Sequence, residues 1–237
     1  MELEQYLPLH LQVKMTMEKE ILAGVYEEKI PGELELMERF SVSRSTIRHA
    51  IKTLVEEGLL KKVHGKGTFI SFKPVEEWLG KFSTFQDIIR QQGMKPHVNF
   101  LRMYHTTEPE EVVQTIGEKQ LYCMERVRCA NTTPVSFERN YYPAEIGEKF
   151  LDCDLNDVAT YTKLEEFGIT LWDAKQIITA RMPDTGEQEL LSIPETLPVL
   201  FIERINYDPS GRVVEYEQSV YRSDYYAFVV HFGRGRE

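Results

Sequence analysis

Arg44, Ser45, Thr46 and Arg48 fall within a turn and a half of one helix-like stretch, SVSRSTIRHAIKTLVEEGLL over residues 41–60. Arginine pairs bidentately with guanine, and Ser and Thr hydroxyls bond bases or phosphates, so these types at a helix N-terminus suit the major groove. Ser43 stands before them as an N-cap. A tip of sequence HGKG follows at residues 64–67. Its glycines, Gly65 among them, permit a tight turn, and His64 and Lys66 can approach the DNA backbone or minor groove. A second set lies far downstream. Arg126 and Arg128, two apart in a strand-like run, share one sheet face and form a candidate anion cradle. Glu138 lies on a face with Ser136, Asn140 and Tyr142, and Glu215 on a face with Glu217, Ser219 and Tyr221. Alternation alone leaves these faces open to two readings, a binding surface or a solvated face of cross-strand salt bridges.

The elements that must hold the first set are three helices and a hairpin. A helix is expected over residues 9–23, introduced by Pro8 and closed by Gly24, with Leu11, Met15, Ile21 and Leu22 facing a core. A short one follows over 33–40. The third runs from the Ser43 cap to about Glu57, stopped by Gly58, with Ile47, Ile51 and Leu54 as its buried stripe and Ser45, Arg48, His49 and Lys52 opposite. Strands over 59–63 and 68–72 flank the tip. Residues 73–80 read as a linker. Beyond it, helices are expected over 84–92, 109–116, 158–167 and 184–192, the last begun by the Asp184-x-x-Glu187 arrangement. Strands are expected over 98–105, 121–129, 135–142, 172–181, 199–207 and 213–222. Strands outnumber helices and several follow one another through short turns, so an α+β domain around an antiparallel sheet is expected.

Charge is distributed to match. The 237 residues carry 28 basic and 38 acidic side chains, a formal charge of −10. Residues 39–72 hold seven basic and two acidic residues, a local balance of +5, whereas residues 73–237 stand at −9. Phosphate attraction acts within about 10 Å at moderate salt, so the local balance is the relevant one. There is no signal-peptide pattern and no apolar run of membrane length, and Cys123, Cys129 and Cys153 show no metal-site spacing. The expectation is a cytoplasmic protein with reduced thiols, needing no cofactor and no membrane.

The stretch PGELELMERFSVSRSTIRHAIKTLVEEGLLKKVHGKGTFI resembles the winged helix-turn-helix of GntR-family bacterial transcription regulators. The resemblance implies double-stranded DNA contact by Ser43, Arg44, Ser45, Thr46 and Arg48 on the recognition helix and by His64, Gly65 and Lys66 on the wing. Three features depart from the family pattern: Gly32 stands where a cap serine is usual, Leu34 where an arginine often contacts DNA, and Glu27-Glu28-Lys29 where a Pro-Gly turn is customary after the first helix.

RVRCANTTPVSFERNYY, ATYTKLEEFGI and VVEYEQSVYRSDYYAFVV resemble the UTRA effector-binding domain of the HutC subfamily, which has a chorismate-lyase-like fold. That resemblance implies a DNA-binding domain over 1–72, a linker over 73–80, and an effector-binding and dimerisation domain over 81–237. It places Arg126, Arg128, Glu138, Glu215 and Tyr221 around a small-molecule effector, with backbone groups near Thr84 and Phe85. A serine and an arginine that hold phosphate in some members read Ala159 and Asp173 here, so sugars and other small metabolites stand beside sugar phosphates as candidates. The implied protein is a repressor that binds a palindromic operator as a homodimer and is released by its effector. The alternative is a lyase-like enzyme domain fused to a DNA-binding domain; no Ser-His-Asp set, metal cluster or nucleotide loop speaks for it.

Overall fold

Leu9–Leu22 (α1), Glu33–Phe40 (α2) and Arg44–Glu56 (α3) are helices in a computed structural model that describes residues 7–22, 25–71, 74–78, 84–156 and 159–230. Expected features at Ala23, Gly24, Phe72, Lys73, Gly80 and Val158 lie outside the described residues. Two compact units divide the chain, Met1–Pro74 and Val75–Glu237.

In the first unit, the stripe of α3 is buried as its spacing requires: Ile47, Ala50, Ile51 and Leu54 are all nearly inaccessible to water. Burying each such side chain stabilises by about 1.5–3 kcal/mol for the larger ones. In the first helix Ile21 is buried as expected, but the rest of the buried face differs. Its buried face is Val13, Met17 and Ile21, while Leu11 and Met15 are half-buried. Both sets repeat every four residues, and the helix is rotated so that the Val13 row meets its neighbours. Leu60–Val63 (β1) and Gly67–Ile70 (β2) pair antiparallel as the wing. A third piece of backbone braces them, because Ile30 N donates to Thr68 O at 3.1 Å and Ile70 N to Glu28 O at 2.8 Å.

The second unit is built on a six-stranded antiparallel sheet. In chain order the strands are Pro96–Thr106 (β4), Leu121–Ala130 (β5), Thr133–Pro143 (β6), Asp173–Arg181 (β7), Val199–Tyr207 (β8) and Val213–Arg222 (β9). Their order in the sheet is β4-β5-β6-β9-β8-β7. Helices cover both faces. Glu110–Ile116 (α5) and Thr185–Leu191 (α8) close one, against Cys123, Tyr141 and Tyr216 and against Val127, Phe137 and Val220. Ala144–Phe150 (α6) and Thr160–Glu166 (α7) close the other, where Met124, Tyr142, Phe150 and Leu164 form a cluster. The expected capping box opens α8: Glu187 N donates to Asp184 Oδ1 at 2.8 Å and Asp184 N to Glu187 Oε2 at 3.0 Å.

Three elements were not expected. Val75–Trp78 (β3) occupies most of the stretch read as a linker over 73–80, and it pairs in parallel with Tyr226–Val229 (β10). The helix α6 lies in a stretch to which no element was assigned, and it contains Gly147. There a Cβ would stand 2.4 Å from Tyr122 side-chain atoms, so glycine is what lets α6 lie against β5.

Candidate nucleic-acid interface and effector recess

Ser43 caps α3 with backbone in the extended region, its Oγ accepting from Thr46 N at 3.3 Å. The same Oγ lies 2.8 Å from Ser45 Oγ and 2.9 Å from Thr46 Oγ1, so three hydroxyls cluster at the helix start. Arg44, Ser45 and Arg48 are exposed beside them, and Thr46 is half-buried. Free N–H groups and positive dipole at that terminus favour phosphate. His49 is exposed on the face opposite the buried stripe, as expected, and its ring stacks on His10 of α1, centroids 4.1 Å apart. Lys52 pairs with Glu56 at 3.6 Å. At the wing, Lys66 N donates to Val63 O at 3.0 Å, and Gly65 takes φ +73°, a left-handed backbone that favours glycine. His64, Gly65 and Lys66 are all exposed at the tip.

The local charge of +5 needs one refinement. Arg39 is engaged by Glu20, one Nη1–Oε2 contact being 3.0 Å, and donates to Tyr26 Oη at 2.8 Å. Arg44, Arg48, Lys61, Lys62 and Lys66 are all exposed.

Gly32 caps α2 without a side-chain hydrogen bond, as its missing hydroxyl requires, and Leu34 is 69% exposed one position into the helix.

In the second unit, alternation on β5, β6 and β9 turns Arg126, Glu138, Asn140, Tyr142, Glu215, Glu217 and Tyr221 toward the same layer. The reading of these as a solvated face is overturned by burial: Arg126, Glu138 and Glu215 each expose 0% of their surface. Charge buried this deeply must be paired. Glu138 forms ion pairs with Arg126 through Oε1 and with Arg128 through Oε2, the latter at 2.7 Å. Glu215 accepts from Asn140 Nδ2 at 3.1 Å, Tyr142 Oη at 2.5 Å and Asn206 Nδ2 at 2.5 Å.

A narrow recess, whose ≈ 360 Å³ of non-atom space includes open solvent at its mouth, lies above this layer. Four of the seven expected residues line it: Thr84, Phe85, Arg128 and Tyr221. Arg126, Glu138 and Glu215 lie in the buried network behind the wall. Thr84 is the N-cap of Phe85–Gln91 (α4), accepting from Asp87 N at 3.2 Å, and so it sits at a helix start. The Arg128 guanidinium lies 5.3 Å from the Phe85 ring centroid, a cation–π arrangement.

Other lining residues were not foreseen, among them Glu77, Tyr161, Arg204 and Glu217. Arg204 Nη2 donates to Glu77 Oε1 at 3.0 Å, and its Nη1 donates to Tyr161 Oη at 2.8 Å. Tyr226 Oη donates to the other Glu77 oxygen at 2.6 Å. Alternation along β8 would have found Arg204, which shares a face with Asn206, opposite Glu217 in register. Glu77 had no such signal, because its strand exists only through pairing with β10. Ala159 and Asp173 contribute no hydroxyl or cation: Ala159 caps α7 without a side-chain bond, and exposed Asp173 accepts from Ala174 N at 2.8 Å. Arg204 is the second guanidinium of the recess instead.

Burial, reinforced by the neighbouring Glu217 carboxylate, pushes Glu215 up to about 7. Burial also works against ionisation of Glu217, but Arg204, Arg128 and the Ser219 hydroxyl outweigh it and hold that carboxyl below its ordinary range. For Arg128, burial is outweighed by the Glu138 charge, and the guanidinium is held more firmly protonated than usual. The layer therefore offers one protonatable carboxyl beside firmly ionised neighbours.

A winged helix-turn-helix with an exposed basic edge, joined to a sheet domain enclosing a polar recess, defines a DNA-binding transcription regulator with an effector domain. Residues 9–70 match the family described as bacterial regulatory proteins, gntR family, and residues 91–227 match the UTRA domain. The chain belongs to the GntR family of bacterial regulators, in the group that carries a UTRA domain. It is 30% identical to the HTH-type transcriptional repressor NagR of Bacillus subtilis over 234 residues, covering 96% of each chain. It is 30% identical to the HTH-type transcriptional regulator GgaR of Escherichia coli K12, over 94% of this chain and 90% of that one. Among solved structures, PhnF from Mycobacterium smegmatis superposes with a TM-score of 0.67 at 22% identity, covering 94% of this chain and all of that one. No helix among the described residues is long and apolar enough to cross a membrane.

Proposed function

We propose that this regulator is a cytoplasmic repressor that binds a palindromic operator as a homodimer and releases it when a small polar metabolite fills the recess. Its first unit reads DNA through Ser43, Arg44, Ser45, Thr46 and Arg48 in the major groove, with His64, Gly65 and Lys66 at the wing. A two-fold dimer meets the half-sites of a palindrome equivalently. The name of the Bacillus subtilis relative supports repression as the sign.

The observation that carries the reading is the recess itself, which Arg128, Arg204, Glu77, Glu217 and Tyr221 line together. Its guanidiniums already meet carboxylates, so hydroxyl groups, which donate to carboxylates and accept from guanidiniums, fit it best. The effector class is a sugar, sugar phosphate or related polyhydroxy metabolite, and a phosphorylated one must draw Arg128 or Arg204 from a carboxylate partner. Glu77 and Thr84 belong to the first elements of the effector unit, so occupancy of the recess acts close in sequence to the DNA-binding unit. The effector shifts the population between arrangements that fit and do not fit the half-site spacing. Regulators as relatives support a sensing rather than a catalytic domain.

Thermal melting across a panel of sugars, sugar phosphates and related metabolites tests this. A specific effector at about a hundred times its Kd stabilises by ~2.7 kcal/mol. The compound that raises Tm is expected to release the protein from duplex DNA, and Arg204→Ala is expected to lose both responses. A stabilising compound that leaves DNA binding untouched contradicts the proposal.

A further inference from the structure

Glu33 is the first residue of α2, and its carboxylate bridges two residues of α3. Arg44 Nε donates to Glu33 Oε2 at 2.9 Å, and Arg48 Nε donates to Oε1 and Oε2 at 3.1 and 3.0 Å. Arg44 and Arg48 are four apart on one helix, where like charges repel. A carboxylate between them removes that repulsion. The Glu33 side chain is 26% exposed against 64% and 57% for the arginines, so the anchor is sheltered while the guanidiniums reach solvent. Each guanidinium commits its Nε–H to the bridge. Among the described residues, neither terminal amino group of Arg44 or Arg48 has a partner within hydrogen-bond distance. That end of the guanidinium is the fork that meets guanine O6 and N7 together.

We infer that Glu33 is a positioning residue for DNA reading: it fixes Arg44 and Arg48 at one separation with their terminal forks uncommitted, and so sets sequence selectivity without touching a base. The inference rests on the reading of Arg44 and Arg48 as DNA contacts. Its energetic logic is preorganisation, since two long side chains ordered before binding lose less freedom on meeting the groove. The hydrogen bond from Arg44, with that from Arg48, holds the Glu33 carboxyl below its ordinary range, so the bridge persists at neutral pH. A carboxylate beside the DNA face also repels phosphate, and so weakens binding to unrelated sequence.

The test uses the full chain with Glu33→Gln, Glu33→Asp and Arg44→Ala. Wild-type protein is first taken through selection on a random-sequence duplex pool. All four proteins are then titrated against the enriched duplex and a scrambled copy. Glu33→Gln is expected to narrow the affinity ratio roughly tenfold, the scale of one bidentate base contact. Glu33→Asp is expected to recover part of that ratio, with melting temperatures unchanged. A wild-type ratio in Glu33→Gln, while Arg44→Ala has lost it, overturns the inference. So does tightening on both duplexes by one factor, or a loss of ratio that tracks a fall in melting temperature in Gln and Asp variants alike. A wild-type ratio in Arg44→Ala overturns the underlying reading of the arginines instead.

Discussion

Arginine meets glutamate in both units of this protein, and the surroundings make the two meetings different. At the helix-turn-helix, Arg44 and Arg48 share Glu33 at a surface open to water, with the arginine side chains 64% and 57% exposed. Such pairs contribute about 0–1 kcal/mol and are screened by salt. In the effector unit, Glu138 holds Arg126 and Arg128 with side-chain exposures of 0%, 1% and 14%. Breaking that arrangement leaves charge stranded away from water. The exposed pairing adds little stability and leaves the arginines' terminal forks open to water; the buried one keeps its geometry and stands behind the recess.

Removing Glu138 should break the contrast most severely. Glu138→Ala is expected to destabilise the protein by about 3–5 kcal/mol, read by denaturant or thermal unfolding, because it strips a buried pair of its anion. A loss comparable to that of a surface pair would erase the distinction between the units.

A second effect follows from pH. Glu215 titrates near 7 in the folded protein, above its ordinary value of 4.5. A carboxyl with a raised folded value contributes stability that is present below the unfolded value and lost as pH rises through the folded one. Stability should therefore decline from roughly pH 4.5 to 7 through this group, while Glu217, held low, contributes stability that is lost only in acid. Glu215→Gln, which stays neutral, is expected to flatten the decline over that window in melting curves taken across pH. An unchanged pH profile would remove Glu215 from the titrating layer.

How much of this was legible varies with what sets each feature. The stripe Ile47, Ile51 and Leu54 and the Ser43 cap are local, governed by helix period and by a hydroxyl reaching three residues on, and the sequence carries both openly. The six sheet strands are long enough for alternation to show. The rotation of α1 onto Val13, Met17 and Ile21 is set by its partners, and two rows of equal spacing compete in the same helix. The strand β3 is four residues long and exists because β10 pairs with it, so Glu77 read as linker. Arg128, Phe85, Thr84 and Tyr221 came within reach through resemblance, and they line the recess. Arg126, Glu138 and Glu215 share the same sheet layer but stand behind the wall, a difference of depth that alternation cannot express. Arg204 was accessible to alternation along β8, and Glu33 was hidden because its role depends on the crossing of α2 and α3.

The smallest effects fall on the exposed surface, and they bear on whether the first unit reads DNA as assigned. Arg44→Ala is expected to cost about 1–3 kcal/mol in binding to an enriched duplex, and Lys66→Ala to reduce the salt slope by about one. Melting should change by no more than about 0.5 kcal/mol in either variant. Duplex affinity across a salt titration, for wild type beside these two variants, is the most direct measurement. Weakened binding with Arg44→Ala and a shallower slope with Lys66→Ala would uphold the reading surface; affinity and slope unchanged in both would contradict it.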